Sequence, residues 1–324
     1  MESRQSGRAT VLGVLAIVLW STTVALARSL TEQVGVLTAA ASIYLAAGVL
    51  GCAAAVVRGR GLARFRGLPL RYWAGCGGLF VFYTVALYLA IGLAAGRQQV
   101  VEVGILNYLW PGLTLALSVP LVGNRARPWL GAGILVGFAG GALALLQGGS
   151  FAWEELRANL GQNVLPYALG AAAAVAWALY SNLSRRWAGA RGGQAVPVFL
   201  LATGLVLGAM RLARPEASVW TARAALELAY MSVFPTLAAY TFWDAAMRRG
   251  RMTLVAALSY LTPLLSTLAS CVYLGVAAGP GLWLAAAMVV GGAVVCKASI
   301  VEGPEVGGGA RAGRPPGVPG ESRI

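Results

Sequence analysis

Asn107-Tyr108-Leu109-Trp110-Pro111 and Ser259-Tyr260-Leu261-Thr262-Pro263 stand 152 residues apart, each in the middle of an apolar segment long enough to cross a bilayer. Proline has no N–H, so the carbonyl four residues before it loses its helical partner, and the freed acceptors are the backbone oxygens of Asn107 and Ser259. Both belong to polar residues. Broken helices at matching positions of two sequence halves point to a substrate site at the midplane of a repeat-built transporter.

Composition agrees with that class. Of 324 residues 58% are hydrophobic, 11% are charged and none is histidine, which describes an integral membrane protein. Apolar runs of about 17–25 residues give ten spans, at 10–30, 34–57, 72–95, 98–122, 129–147, 164–184, 195–213, 224–247, 252–275 and 279–300. The connections leave no room for a soluble catalytic domain. Arg4 and Arg8 ahead of an apolar stretch, with Ala25-Leu26-Ala27 behind it, imitate a signal peptide. The stretch is long, carries Trp20, Thr22 and Thr23 at its centre and is repeated later, so it reads as the first retained helix.

With the N-terminus in the cytoplasm, inner segments hold 19 Lys or Arg and outer segments six. Arg58, Arg60, Arg64, Arg66 and Arg71 carry the contrast in one loop, Arg185, Arg186 and Arg191 in another, and Arg248, Arg249 and Arg251 in a third. The net charge of +14 therefore suits a membrane surface, and scattered short basic loops with little aromatic interleaving argue against nucleic-acid binding. Cys52, Cys76, Cys271 and Cys296 lie in or at the ends of apolar spans without CxxC spacing, so burial is their expected role and no metal or cofactor is expected. The sequon Asn182-Leu183-Ser184 falls at the cytoplasmic end of a span and should stay unglycosylated.

Further correspondences support a duplication. Gly13 and Trp20 match Gly170 and Trp177 at an offset of 157, and Gly140-Gly141 matches Gly291-Gly292 at 151. Five helices per unit is an odd number, so the second unit enters the membrane inverted. The expected organisation is a cytoplasmic N-terminal tail (1–9), a first five-helix repeat (10–147), an external linker (148–163), an inverted second repeat (164–300) and a disordered Pro/Gly-rich cytoplasmic tail (301–324). Most of the 43 glycines are read as close-packing residues between helices.

The repeated halves, together with Arg97-Gln98-Gln99, Glu102-Val103-Gly104 and the run into Trp110-Pro111, resemble the drug/metabolite transporter superfamily, EamA-like. The resemblance spans about residues 10–300. It implies a ten-helix bundle around a central cavity, in the bacterial inner membrane, exporting aromatic and other amino acids.

Helical spacing puts Asn107, Trp110, Pro111 and Thr114 on one face, and Ser259, Thr262, Pro263 and Ser266 on its counterpart. The expected cavity residues are Trp20, Thr23, Tyr83, Asn107, Tyr108, Trp110, Trp177, Ser181, Tyr240, Ser259 and Tyr260, with Pro111 and Pro263 as gating bends. Trp73, Trp129, Trp153, Trp220 and Trp283, near span ends, are read as interfacial belts. An amino acid fits such a cavity without a fixed counter-charge, because aromatic faces hold cations at about 0.5–2 kcal/mol each and freed carbonyls accept hydrogen bonds. Apolar walls separate neighbouring side chains by only about 1–3 kcal/mol, so broad specificity is expected.

Proton coupling needs an ionisable group in the path. Glu102 sits nine residues before Pro111, about 13 Å toward the outer surface at ~1.5 Å per residue. Asp244 precedes Arg248 by four residues, the spacing of a helix-surface ion pair. Neither makes a central proton site, so facilitated transport is expected over antiport. The absence of HExxH, GxSxG and nucleotide loops argues against an enzyme, and no filter loop or charged ring suggests a channel. The rival reading is an exporter of drugs or other metabolites on the same fold. Expected partners are small-molecule amino acids and bilayer lipid, with the protein acting as a monomer.

Overall fold

A computed structural model of the chain describes residues 2–57, 68–146, 153–188, 195–274 and 279–302. Its regular structure is helical, apart from a two-residue antiparallel ladder of Arg125–Ala126 on Ile300–Val301. Among the described residues five helices are long and apolar enough to cross a membrane, or seven when two bent pairs each count as one span. The chain is thus an all-α membrane protein. The basic loop with Arg58, Arg60, Arg64 and Arg66, Arg191, the side chain of Cys271 and the tail from residue 303 lie outside the described residues.

Each of the ten expected intervals falls on one helix or on helices in direct succession. In chain order these are α1 (Glu2–Ser21) with α2 (Thr23–Val34); α3 (Val36–Val57); a π-helical turn (Tyr72–Cys76) leading into α4 (Gly77–Leu93); α5 (Arg97–Asn107) with α6 (Trp110–Val122); and α7 (Trp129–Leu145). After α8 (Trp153–Gln162) come α9 (Leu165–Ala188); α10 (Val196–Ala213); α11 (Ala222–Met231), a π-helical segment (Ser232–Ala238) and α12 (Ala239–Arg249); α13 (Met252–Leu258) with α14 (Leu261–Leu274); and α15 (Pro280–Ser299). The stretch expected as a plain external linker contains α8, whose axis turns 98° from that of α9.

Both prolines interrupt the helix where expected, since α5 ends at Asn107 ahead of Pro111 and α13 ends at Leu258 ahead of Pro263. Two further breaks escaped the sequence reading. At Thr22 the hydroxyls of Ser21, Thr22 and Thr23 donate to the carbonyls of Val18, Leu19 and Trp20 at 2.6, 2.8 and 2.7 Å, competing with the backbone ladder and separating α1 from α2. Pro235 sits inside the π-helical segment that joins α11 to α12.

The packing pairs are regular. α3 lies along α10, α7 along α15, α4 along α9 and α1 along α12. Small residues make the closest approaches possible, because helices in lipid gain little from hydrophobic burial and depend on backbone contact. A Cβ at Gly48 would fall 2.5 Å from the backbone of Leu201, and one at Gly204 would fall 2.5 Å from the backbone of Leu45. The outward faces carry exposed apolar residues such as Leu135, Leu205, Leu226 and Val294, as a bilayer requires. Trp129, Trp153, Trp220 and Trp283 are exposed near helix ends, whereas Trp73 packs against Tyr72 and Phe199 at 6.3 and 5.7 Å.

The α2–α3 turn is tied to the loop after α10. Gly35, at φ 89°, leaves room for Glu216, whose carboxylate accepts from the N–H groups of Leu37 and Thr38 at 3.0 and 2.9 Å and from the Thr38 hydroxyl at 2.9 Å. Burial pushes the Glu216 pKa up, but these donors and Arg211 outweigh it and hold the carboxyl below its ordinary value.

Candidate functional site

Four tryptophans from four helices meet in the middle of the bundle. Trp20 of α1 lies 6.5 Å from Trp110 of α6, 5.9 Å from Trp177 of α9 and 5.3 Å from Trp243 of α12, between ring centroids. Trp110 and Trp177 are 6.5 Å apart, Trp110 and Trp243 5.2 Å, and Trp177 and Trp243 6.1 Å. Most of these contacts are edge-to-face, the arrangement that ring quadrupoles favour. Two indole N–H groups are satisfied inside the cluster's wall: Trp20 donates to the Pro235 carbonyl at 3.0 Å and Trp243 to the Ser181 hydroxyl at 3.1 Å.

Other rings extend the cluster. Tyr240 is 5.4 Å from Trp20 and 5.0 Å from Phe80, and its hydroxyl meets that of Tyr44 at 2.9 Å. Tyr83 lies 4.7 Å from Trp177, and Tyr180 stacks on Trp177 at 5.1 Å. Tyr83, Tyr88 and Tyr108 lie deep among protein atoms yet keep partial exposure. By contrast Tyr180, Ser181 and Trp243 have no exposed surface.

Of the residues expected to line a cavity, Trp20, Trp110, Trp177, Tyr83, Tyr240 and Ser181 come together here. Asn107 is buried beside Tyr83, and its side-chain oxygen has no hydrogen-bond partner. That is a costly state for a buried acceptor unless a ligand donates to it. Thr23 uses its hydroxyl on the Trp20 carbonyl. Two of the expected residues make contacts outside the cluster. Tyr260 leaves the cluster: its ring packs against Gly137 and its hydroxyl donates to the Ile134 carbonyl at 3.4 Å, between α6 and α7. Ser259 donates to the Ala256 carbonyl at 2.6 Å, and its own carbonyl accepts from both the N–H and the hydroxyl of Thr262 at 3.1 and 2.8 Å. The acceptor expected to be freed by Pro263 is therefore filled by the chain itself.

Sequence reasoning missed Trp243, Phe80, Tyr44 and Tyr180. Three of these carried a usable signal, because Trp243, Tyr180 and Phe80 each stand three residues from Tyr240, Trp177 and Tyr83, and so share their helix faces.

The two carboxylates expected near the path differ. Glu102 is buried and accepts from three neutral side chains, Tyr167, Gln98 at 3.4 Å and Asn159 at 3.4 Å, which ties α5 to α8 and α9. Asp244 does pair with Arg248, at 2.7 Å to Nη2 and 2.8 Å to Nε, but the pair is not on the helix surface. The two side chains are 0% and 1% exposed, and Tyr180 donates to the same carboxylate at 3.1 Å. The spacing rule found the partner; the neighbouring α9, through Tyr180, covers it.

The family model described as the EamA-like transporter family matches residues 7–146 and again 164–296. The chain belongs to the EamA-like transporter family. Among its relatives, the protein of Escherichia coli (strain K12) named "Aromatic amino acid exporter YddG" is 32% identical over 289 residues, covering 89% of this chain and 96% of the relative. The Ancylobacter novellus protein of the same name is 39% identical over 294 residues, with 89% and 96% covered. A solved crystal structure superposes with a TM-score of 0.77 at 34% identity, over 90% of this chain and 97% of that one. The aromatic cluster of this EamA-like chain draws on both matched stretches, with Trp20 and Trp110 from the first and Trp177 and Trp243 from the second.

Proposed function

We propose that this protein is an amino acid exporter of the bacterial inner membrane, with broad specificity that includes aromatic amino acids, working by alternating access and without proton coupling. In this reading ten spans form two inverted halves, 10–147 and 164–300, with both termini cytoplasmic. The pairing of helices supports it. Numbering spans by the ten intervals, the second packs on its repeat mate the seventh and the fifth on the tenth. The first–eighth and third–sixth contacts exchange with one another when the halves are swapped. Names of the relatives supply the substrate class.

The observation that carries the reading is the four-tryptophan cluster with the orphaned Asn107 oxygen beside it. The π faces suit an ammonium and an aromatic or apolar side chain, and the amide oxygen suits an ammonium N–H. With the N-terminus inside, Thr23, Tyr83 and Tyr108 lie toward the outer side of Trp20 and are partly exposed, while Trp243 and Tyr180 lie toward the inner side and are sealed. The arrangement thus corresponds to a state closed to the cytoplasm. Export then requires the buried inner contacts between α1, α9 and α12 to part, with Pro111 and Pro263 as bends and the Thr22 and Pro235 breaks as two more. The charges support facilitated transport. Asp244 is already neutralised by Arg248, and Glu102 is engaged on the outer side by Tyr167.

Counterflow in proteoliposomes tests this: with unlabelled phenylalanine inside, labelled phenylalanine, threonine and methionine should all enter, and Trp20→Ala should abolish entry. Uptake of one amino acid alone would remove the breadth. No uptake of any would redirect the assignment to drugs or other metabolites. Strict dependence on a proton gradient that vanishes in Glu102→Gln would replace facilitation by coupling.

A further inference from the structure

Among the described residues, Asp244 and Arg248 form an ion pair with both side chains buried, and it lies against the aromatic cluster. Trp243 is the preceding residue on α12, and Tyr180 joins the two features, its ring stacked on Trp177 and its hydroxyl on Asp244 Oδ1. Arg185 fixes the same end of α12 by donating to the carbonyls of Met247 and Gly250 at 3.2 and 3.0 Å. A buried pair costs desolvation that its own attraction does not always recover, so hydrophobic residues of the same size would often hold a helix as well. Structural clasping is therefore a weak reason for two full charges at this point.

We infer that Asp244 and Arg248 are a docking pair for the charged ends of an α-amino acid entering from the cytoplasmic side, Asp244 taking the ammonium and Arg248 the carboxylate. This rests on the amino-acid reading above and names the charged subsite that reading lacks. The substrate carries both charges on neighbouring atoms. Asp244 and Arg248 stand four residues apart, about 6 Å along the helix axis. When the pair opens, a zwitterion replaces each partner in kind, so no charge is left bare in the low-dielectric interior. The side chain is then directed from Asp244 toward Trp243 and the rings beyond. A molecule with only one of the two charges strands the other residue, which keeps the inner seal shut. This gives the protein a way to admit amino acids without leaking ions.

The test uses full-length protein in proteoliposomes and three compounds: phenylalanine, phenylalaninamide, which keeps only the ammonium, and 3-phenylpropionate, which keeps only the carboxylate. In the wild type, phenylalanine should half-saturate counterflow at a concentration at least about tenfold below that of either analogue, one decade in affinity being the modest end of losing a charged hydrogen bond. The double variant Asp244→Asn/Arg248→Gln removes both charges and leaves none unpaired. It should bring all three compounds to within about twofold of one another. Asp244→Asn alone should weaken phenylalaninamide and favour 3-phenylpropionate, whose carboxylate then pairs Arg248 and strands no acid. A double variant that slows all three equally while keeping the wild-type order of preference would make the pair a structural clasp and overturn the inference, with amino acid transport intact. Should the double variant fail to fold, the reversed pair Asp244→Arg/Arg248→Asp retains an ion pair while placing each charge opposite the wrong end of the substrate. Loss of the phenylalanine advantage in it supports docking, and full retention refutes it. Wild-type protein that moves no phenylalanine overturns both the function and the subsite.

Discussion

The breaks at Asn107–Pro111 and Ser259–Pro263 begin from one motif and end in different roles. Gln98–Val122 stays in line well enough to form a single 25-residue span, whereas Met252–Leu258 and Leu261–Ala269 are bent by 41°. In the first half the break presents Asn107 with an unpartnered oxygen and Trp110 in the ring cluster. In the second, Thr262 stands where the first has Trp110 and closes the Ser259 carbonyl with its own hydroxyl and N–H. Tyr260 fills a helix interface instead of the path. A duplicated motif therefore leaves an open side-chain acceptor in one half and a filled backbone carbonyl in the other. A threonine hydroxyl can reach back three residues to a carbonyl of its own helix, as Thr262 does to Ser259.

That contrast can be broken by substitution at mated positions. The largest effect belongs to Trp110→Ala, which empties the centre of the ring cluster and should lower stability by about 3–5 kcal/mol; Thr262→Val, its mate, should cost about 1 kcal/mol. Thermal unfolding in detergent measures both, and equal losses would make the two breaks equivalent. Next comes transport. Asn107→Ala should lower phenylalanine counterflow efficiency about 10- to 100-fold, as losing a hydrogen bond to a charged group does, and Ser259→Ala should stay within about twofold. Reversal of that order would move recognition to the second half. A smaller effect is expected for Tyr260→Phe, which removes the bond to Ile134 and should cost about 0.5–1.5 kcal/mol of stability with counterflow unchanged. A transport defect there would return Tyr260 to the path. The smallest is Gly104→Ala in α5, where a Cβ meets nothing within 4 Å. It should gain about 0.5–1 kcal/mol from helix propensity, while Gly112→Ala meets the Tyr260 hydroxyl and Ile134 and should lose stability.

Much of the site was legible in the chain because its signals are local. Proline removes an N–H wherever it stands, so the breaks at 107–110 and 258–261 could be placed without knowing any neighbour. The same held for Trp20 and Trp177, which matched at a constant offset. The serine and threonine break at Thr22 was also local, but three hydroxyls bonding back to their own carbonyls leave no mark that separates them from a polar face. Trp243 and Phe80 share faces with Tyr240 and Tyr83, yet spacing along one helix does not say which other helix meets that face. Asp244 and Arg248 illustrate the limit most plainly: four-residue spacing implied the ion pair, and nothing in it distinguished a wet surface from a sealed interior.

The sequence by itself determined the membrane class, the apolar stretches that become helices and the two proline breaks, because hydropathy and proline act over one or two turns of chain. Only the tertiary structure decided which of two equivalent motifs joins the ring cluster, which rings touch, and that Asp244, Arg248 and Tyr180 are buried together. Burial and orphaned acceptors are properties of several helices at once. The free energy of a charge or a carbonyl depends on what the other helices bring to it, and that is not written beside it in the chain.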